Sequence, residues 1–130
     1  MKKIIPLLLA LACLTAAFAA DEKAPAAPKP KQWLYVLRLV PRLHDDNAWT
    51  DVDKKATSAH FAHLQAATKA GQIVLAGRTM EPGDKTMGLV IFEAADEPAA
   101  RAFMQSDPAV VSGIMTATLH PYMIALQRKT

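Results

Sequence analysis

Cysteine and glycine are scarce in this 130-residue chain, which contains one cysteine, Cys13, and five glycines. A single cysteine cannot form an intramolecular disulfide, and it rules out a Cys-x-x-Cys redox pair or a cysteine-rich zinc site. The sequence also has no glycine-rich phosphate loop and no Gly-x-Ser-x-Gly nucleophile motif. No basic segment is interleaved with aromatic residues, so nothing indicates nucleic-acid binding. We therefore expect neither a cofactor nor a nucleic-acid partner.

The N-terminal segment has the features of an export signal. Lys2 and Lys3 precede an apolar run from Ile4 to Ala12, and Ala17-Phe18-Ala19 offers a small-x-small cleavage site. The apolar run is too short to span a bilayer as a helix. We predict that residues 1–19 are a bacterial signal peptide cleaved near Ala19, and that the mature protein is periplasmic or secreted and free of the membrane.

A lipoprotein signal acylated at Cys13 is the alternative, but Ala10-Leu11-Ala12 fits the usual residue order before such a cysteine poorly. Cleavage near Ala19 removes two lysines, so the 15 Lys and Arg become 13 against 12 Asp and Glu, a net charge of 13 − 12 = +1. It also removes Cys13, so the mature protein would have no thiol nucleophile.

Residues 20–31 are rich in Ala, Pro and Lys without apolar periodicity, which predicts a flexible linker. We predict that residues 32–130 form one small domain. Its pattern predicts the order βαββαβ, an α+β ferredoxin-like sandwich with a four-stranded antiparallel sheet and two helices on one face. The predicted strands are 32–40, 73–76, 87–92 and 115–126, and the predicted helices begin at Thr50 and Asp96.

The first predicted strand is apolar on both faces, because Trp33, Tyr35 and Leu37 alternate with Leu34 and Val36. Helices can cover only one of these faces. We therefore predict a homodimer in which the open sheet face is buried against a second copy.

The first predicted helix carries two histidines. At 100° per residue, His60 lies at the edge of the apolar stripe beside Leu64, and His63 is turned towards solvent. Local pattern is compatible with His60 as a simple boundary histidine. Zinc binding by His60-x-x-His63 is another alternative, but two ligands without a third are a weak signal.

Two further sets of polar residues are weaker candidates. Arg38 is the one charge in the apolar part of the first strand, so it is either a snorkelling side chain or a substrate-binding residue. His44, Asp45 and Asp46 are adjacent in a polar segment and are more simply solvated than metal-binding. We predict no metal site.

Three groups of residues in matching order resemble the YCII-related (YciI-like) family. The first group is His60, Ala62, Leu64, Gly71 and Ala76-Gly77; the others are Asp107-Pro108 with Val110 and Gly113, and His120-Pro121-Tyr122. The resemblance spans roughly residues 32–130. It implies a dimeric α+β barrel and a catalytic pair formed by His60 and Asp107. Because the family includes an aromatic dehydrochlorinase, it also implies cofactor-independent acid/base chemistry, of a lyase or isomerase type, on a small cyclic or aromatic molecule.

Asp107 also has a purely structural interpretation, because an aspartate before Pro108 can cap a short helix. Three hypotheses therefore remain open: an enzyme using His60 and Asp107, a module that binds a small ligand without converting it, and an accessory homodimer. A shared fold does not by itself confer catalysis.

Overall fold

The structure is a computed structural model that describes residues 29–128. It contains strands β1 (Lys31–Leu39), β2 (Ile73–Arg78), β3 (Gly88–Ala94) and β4 (Met115–Pro121), and helices α1 (Asp51–Lys69), α2 (Glu97–Gln105) and α3 (Pro108–Val111). The predicted signal peptide and residues 20–28 of the predicted linker lie outside the described residues. Within residues 29–128, no helix is long and apolar enough to cross a membrane.

The four strands form one antiparallel sheet in the order β2-β3-β1-β4. The two central strands, β1 and β3, pair from Lys31 with Ala94 to Leu37 with Gly88. Strand order and connectivity are those of a ferredoxin-like α+β fold, so the predicted fold class is confirmed. The last strand ends at Pro121 on a sheet edge, where a residue without an N–H is tolerated.

Local signals set both ends of α1. The Thr50 hydroxyl caps the Asp53 amide while the Asp53 carboxylate accepts from the Thr50 amide, which is a capping box. At the other end, Gly71 adopts a φ of 81°. The Gly71 amide donates to the Thr68 carbonyl and the Gln72 amide donates to the Ala67 carbonyl, as in a Schellman motif.

Several predicted boundaries differ from the structure. Lys31, assigned to the linker, already pairs with Ala94 in β1, and β2 continues to Arg78 instead of ending at Ala76. The polar segment after β1 is not irregular, because Pro41–His44 and Asp46–Ala48 form two 3-10 turns. Leu43 is buried between these turns and the short helix α3, which explains why the segment is ordered into turns.

The helices cover one face of the sheet, and the core lies between them. On β1, Trp33, Tyr35 and Leu37 are buried on the helix side, whereas Leu34 and Val36 are half-buried on the open side. The Tyr35 ring meets Phe92 edge-on with centroids 5.5 Å apart. This alternation separates a packed helix side, where the site described below lies, from an open sheet face.

An ion pair fastens the segment after β1 to the start of α1. Arg42 donates to both carboxylate oxygens of the buried Asp53, at 2.6 Å and 3.0 Å. The Arg42 guanidinium and the hydrogen bonds from Thr50 hold the pKa of Asp53 well below its usual range. The low folded pKa means that Asp53 stabilises the fold at neutral pH, and that this stability is lost as the pH falls through the folded value.

We expect Asp53→Asn to lower the melting temperature at neutral pH by a few degrees, because asparagine retains the cap but loses the ion pair. The difference in melting temperature between variant and wild type should narrow as the pH falls below about 4, the usual pKa of aspartate, because Asp53 is then protonated in the unfolded chain. Thermal unfolding followed by circular dichroism across this pH range measures both effects.

Asp51→Asn is the matched control, since Asp51 is fully exposed and lies 3.7 Å from Lys54. It should change the melting temperature little at any pH. A gap for Asp53→Asn that does not depend on pH would contradict the role assigned to its charge.

Candidate active site

The carboxylate of Asp107 is fully buried at the start of α3. Its Oδ1 accepts from the Ala109 amide at 2.9 Å and lies 2.7 Å from His60 Nδ1. Its Oδ2 accepts from the Tyr35 hydroxyl at 2.8 Å. His60 and Tyr35 are 47 and 72 residues away from Asp107 in sequence, and both contact this one side chain. Asp107 therefore joins α1, β1 and α3.

These contacts indicate which atom of the pair carries the shared proton. Burial alone would raise the pKa of Asp107, but hydrogen bonds from His60, Ala109 and Tyr35 together hold it below its usual value. An ionised carboxylate can only accept hydrogen bonds, so the His60 Nδ1 must carry the donated proton. The neutral imidazole then keeps an unprotonated Nε2, which is the form needed in a general base.

His60 lines a cleft of about 940 Å³ between α1 and the helix side of the sheet. Its side chain is 12% exposed, so it is enclosed yet accessible, while Asp107 lies behind it out of contact with solvent. The walls are mainly apolar, with Leu37, Leu64 and Val90 among the lining residues. The predicted position of His60, at the border of core and water, agrees with this geometry.

Tyr35 is a site residue that the sequence prediction missed. Burial and the neighbouring Asp107 charge raise the pKa of its hydroxyl, so Tyr35 stays protonated and donates to Asp107. The signal was present: a tyrosine on the inward face of a strand must find a partner for its hydroxyl. The identity of that partner is a long-range contact, which strand alternation does not give.

The prediction that His63 faces solvent is wrong. Its ring stacks on Phe103 of α2 with centroids 5.3 Å apart, and its Nε2 is buried without a hydrogen-bond partner among the described residues. His60 instead faces Asp107, so the two imidazoles of His60-x-x-His63 have different surroundings. No group of three or more His, Cys, Asp or Glu within residues 29–128 is arranged to hold a metal ion.

Arg38 is not brought to the cleft. It lies on the open face of β1, where it pairs across the sheet with Thr116, and its guanidinium lies 3.9 Å from the Met87 sulfur. Leu37 and Leu39, its neighbours in sequence, are the residues of β1 that line the cleft. The arginine that does line it is Arg78, at the end of β2.

Comparison with known proteins identifies the family of this chain. The sequence profile of the YCII-related domain matches residues 36–119, which is more than half of the chain. The chain belongs to the YCII-related family. No curated protein matches it.

A solved structure of similar fold is the 5-chloro-2-hydroxyhydroquinone dehydrochlorinase TftG from Burkholderia phenoliruptrix, in complex with 2,5-dihydroxybenzoquinone. It is 20% identical in sequence, with a TM-score of 0.55, and the match covers 71% of this chain and 93% of that one. At this identity the similarity shows a shared fold, and the function must be argued from the site itself.

Replacing Tyr35 by phenylalanine should remove one donor from the buried carboxylate. We expect the pKa of Asp107 to rise and the protein to lose about 1–3 kcal/mol of stability at neutral pH. Carbon-13 NMR of the carboxyl group and chemical unfolding measure the two effects.

Tyr122→Phe is the matched control, because Tyr122 is 41% exposed and its hydroxyl contacts neither His60 nor Asp107. Equal effects of the two substitutions would show that the Tyr35 hydroxyl does not hold Asp107 in its ionised form.

Proposed function

We propose that this protein is a cofactor-independent enzyme in which His60 transfers a proton to or from a small cyclic or aromatic molecule. The observation that carries the proposal is the 2.7 Å contact of the His60 imidazole, at the wall of a large apolar cleft, with the buried Asp107 carboxylate. A fully buried ionised carboxylate is costly to maintain. Its placement behind an accessible imidazole is what proton transfer requires.

Each member of the pair has a distinct role. Nε2 of His60 accepts the substrate proton, and the imidazolium that results lies beside the negative charge of Asp107. Asp107 is a positioning residue: it fixes the tautomer and stabilises the charged ring without itself taking the proton. The apolar walls reduce the screening of this interaction by water.

The family and the structural neighbour support a lyase-type reaction. Dehydrochlorination of a chlorinated hydroxyhydroquinone removes one proton and one chloride from the substrate, and no electrons need to be supplied. Such a reaction requires a base for the proton and a way for chloride to leave. In this chain, His60 is the group suited to be that base.

The proposal is tested with a panel of hydroxylated and chlorinated benzenes, starting with 5-chloro-2-hydroxyhydroquinone. Chloride release and exchange of ring protons with deuterated solvent are the two readouts. We expect His60→Gln to lower kcat/KM by about 10²–10⁴, the usual contribution of a general base. Asp107→Asn should lower it less, because the asparagine Oδ1 can still accept from His60 and the Ala109 amide while the charge is lost.

His44→Gln is the control, since His44 bonds the Leu39 carbonyl and a glutamine amide can donate the same hydrogen bond. It should leave kcat/KM within about twofold of wild type. Full activity in His60→Gln would contradict the proposal. Binding of panel members without turnover would instead favour the ligand-binding module.

We also propose that the protein is a homodimer through the open sheet face. The described apolar residues on this face are Leu34 and Val36 of β1, Leu75 of β2, and Leu89 and Ile91 of β3. Leu75 is 55% exposed, and the four others are only half-buried. A contiguous apolar sheet face of this kind is buried most simply by an identical face on a second copy.

We expect Ile91→Asp to convert a dimer to a monomer, because it would place a charge at the centre of the apposed sheets. Sedimentation velocity measures the change in mass. Val111→Asp is the control, since Val111 is 72% exposed on α3, on the opposite side of the sheet. A wild-type protein that sediments as a monomer would exclude this interface.

A further inference from the structure

The cleft carries positive charge at a distance from His60. Arg78 lies at the end of β2 and Lys69 in the last turn of α1, and both line the cleft. No aspartate or glutamate is among the described residues that line it. Among residues 29–128, the Arg78 guanidinium forms no ion pair with a carboxylate. The cleft therefore presents cations without a counter-charge in its walls.

Strand register places Arg78 relative to the proton-transfer pair. Arg78 pairs with Gly88, which in turn pairs with Leu37. Two residues further along these strands, the next pair on the helix side is Tyr35 with Val90, and the Tyr35 hydroxyl contacts Asp107. Residues two apart on a strand are about 7 Å apart. Arg78 thus lies on the edge strand β2, one residue pair away along the sheet from Tyr35, which contacts Asp107.

The cleft wall between Arg78 and His60 includes apolar side chains and a glycine. Gly88 occupies the row between Arg78 and Leu37, and a Cβ at this position would approach Leu37 Cβ to 3.2 Å. Leu64 and Val90 line the same region. A flat hydrocarbon ring matches these apolar surroundings.

From these observations we infer that the ligand is a cyclic or aromatic carboxylate whose carboxylate is bound by Arg78 while His60 faces the ring. The planar guanidinium matches a carboxylate in bidentate geometry, and the apolar walls match the ring. Lys69 adds positive charge at the same end. The inference names the substrate class for the proton transfer proposed above and rests on that proposal.

Isothermal titration calorimetry with benzoate tests the inference directly, and benzamide is the neutral probe of nearly equal shape. We expect benzoate to bind in the millimolar range or tighter and benzamide to bind at least about tenfold more weakly. Arg78→Gln should raise the Kd for benzoate by roughly tenfold, the effect of losing one charge-assisted hydrogen bond. Arg78→Lys should restore part of the affinity, since it keeps the charge but not the bidentate geometry.

Arg38→Gln is the matched control, because it removes the same charge from the opposite face of the sheet. It should leave the Kd for benzoate within about twofold. Absence of benzoate binding, equal binding of benzamide, or equal losses in Arg78→Gln and Arg38→Gln would each overturn the inference. Circular dichroism of each variant checks that the fold is retained.

Measuring both the Kd for benzoate and turnover separates this inference from the proposed function. His60→Gln should lower kcat/KM for an active panel member by about 10²–10⁴, whereas the Kd for benzoate should still depend on Arg78, because Arg78 and not His60 holds the carboxylate. A normal response of Kd to Arg78→Gln together with unchanged turnover in His60→Gln would reject the catalytic proposal alone. Loss of turnover in His60→Gln with no effect of Arg78→Gln on Kd would reject the carboxylate site alone.

Discussion

The buried charge of Asp107 is the constraint on which the arrangement of this domain depends. A carboxylate without contact with solvent remains ionised only if donors replace the water it has lost. Here the donors come from three parts of the chain: Tyr35 on β1, His60 on α1 and the Ala109 amide at the start of α3. A shift of any one element would remove one of these donors from the buried charge. The carboxylate therefore ties α1 and α3 to β1 and sets the orientation of the imidazole.

The capping role of Asp107 and its role beside His60 are compatible. Its Oδ1 accepts both the Ala109 amide and the His60 imidazole, and its Oδ2 is left for Tyr35. Since a carboxylate oxygen has two lone pairs, neither hydrogen bond displaces the other. Capping α3 also holds the carboxylate rigid, and rigid placement is what a positioning residue needs. The structural and functional interpretations of this aspartate thus describe the same set of contacts.

Features of this domain that depend on local interactions could be predicted from the sequence, whereas features that depend on long-range contacts could not. Thr50 with Asp53 and the glycine at position 71 set the ends of α1 through contacts within a few residues. His63 was misplaced because the helical wheel describes α1 alone, whereas Phe103 of α2 covers that side of the helix. The Tyr35 contact spans 72 residues, which no local period encodes.

The positions of Arg38 and Arg78 also depend on long-range contacts, because strand pairing decides which face of the sheet each one occupies. Because β1 is apolar on both faces, alternation could not say which face the helices would cover, and so could not place Arg38 relative to His60. Arg78 lies beyond the predicted strand 73–76, although β2 extends to include it. The structure resolves both points through register: β2 pairs with β3 up to Gly88, and this pairing turns Arg78 to the helix side. A cation then lies on the same side of the sheet as the imidazole, and apolar side chains line the cleft between them.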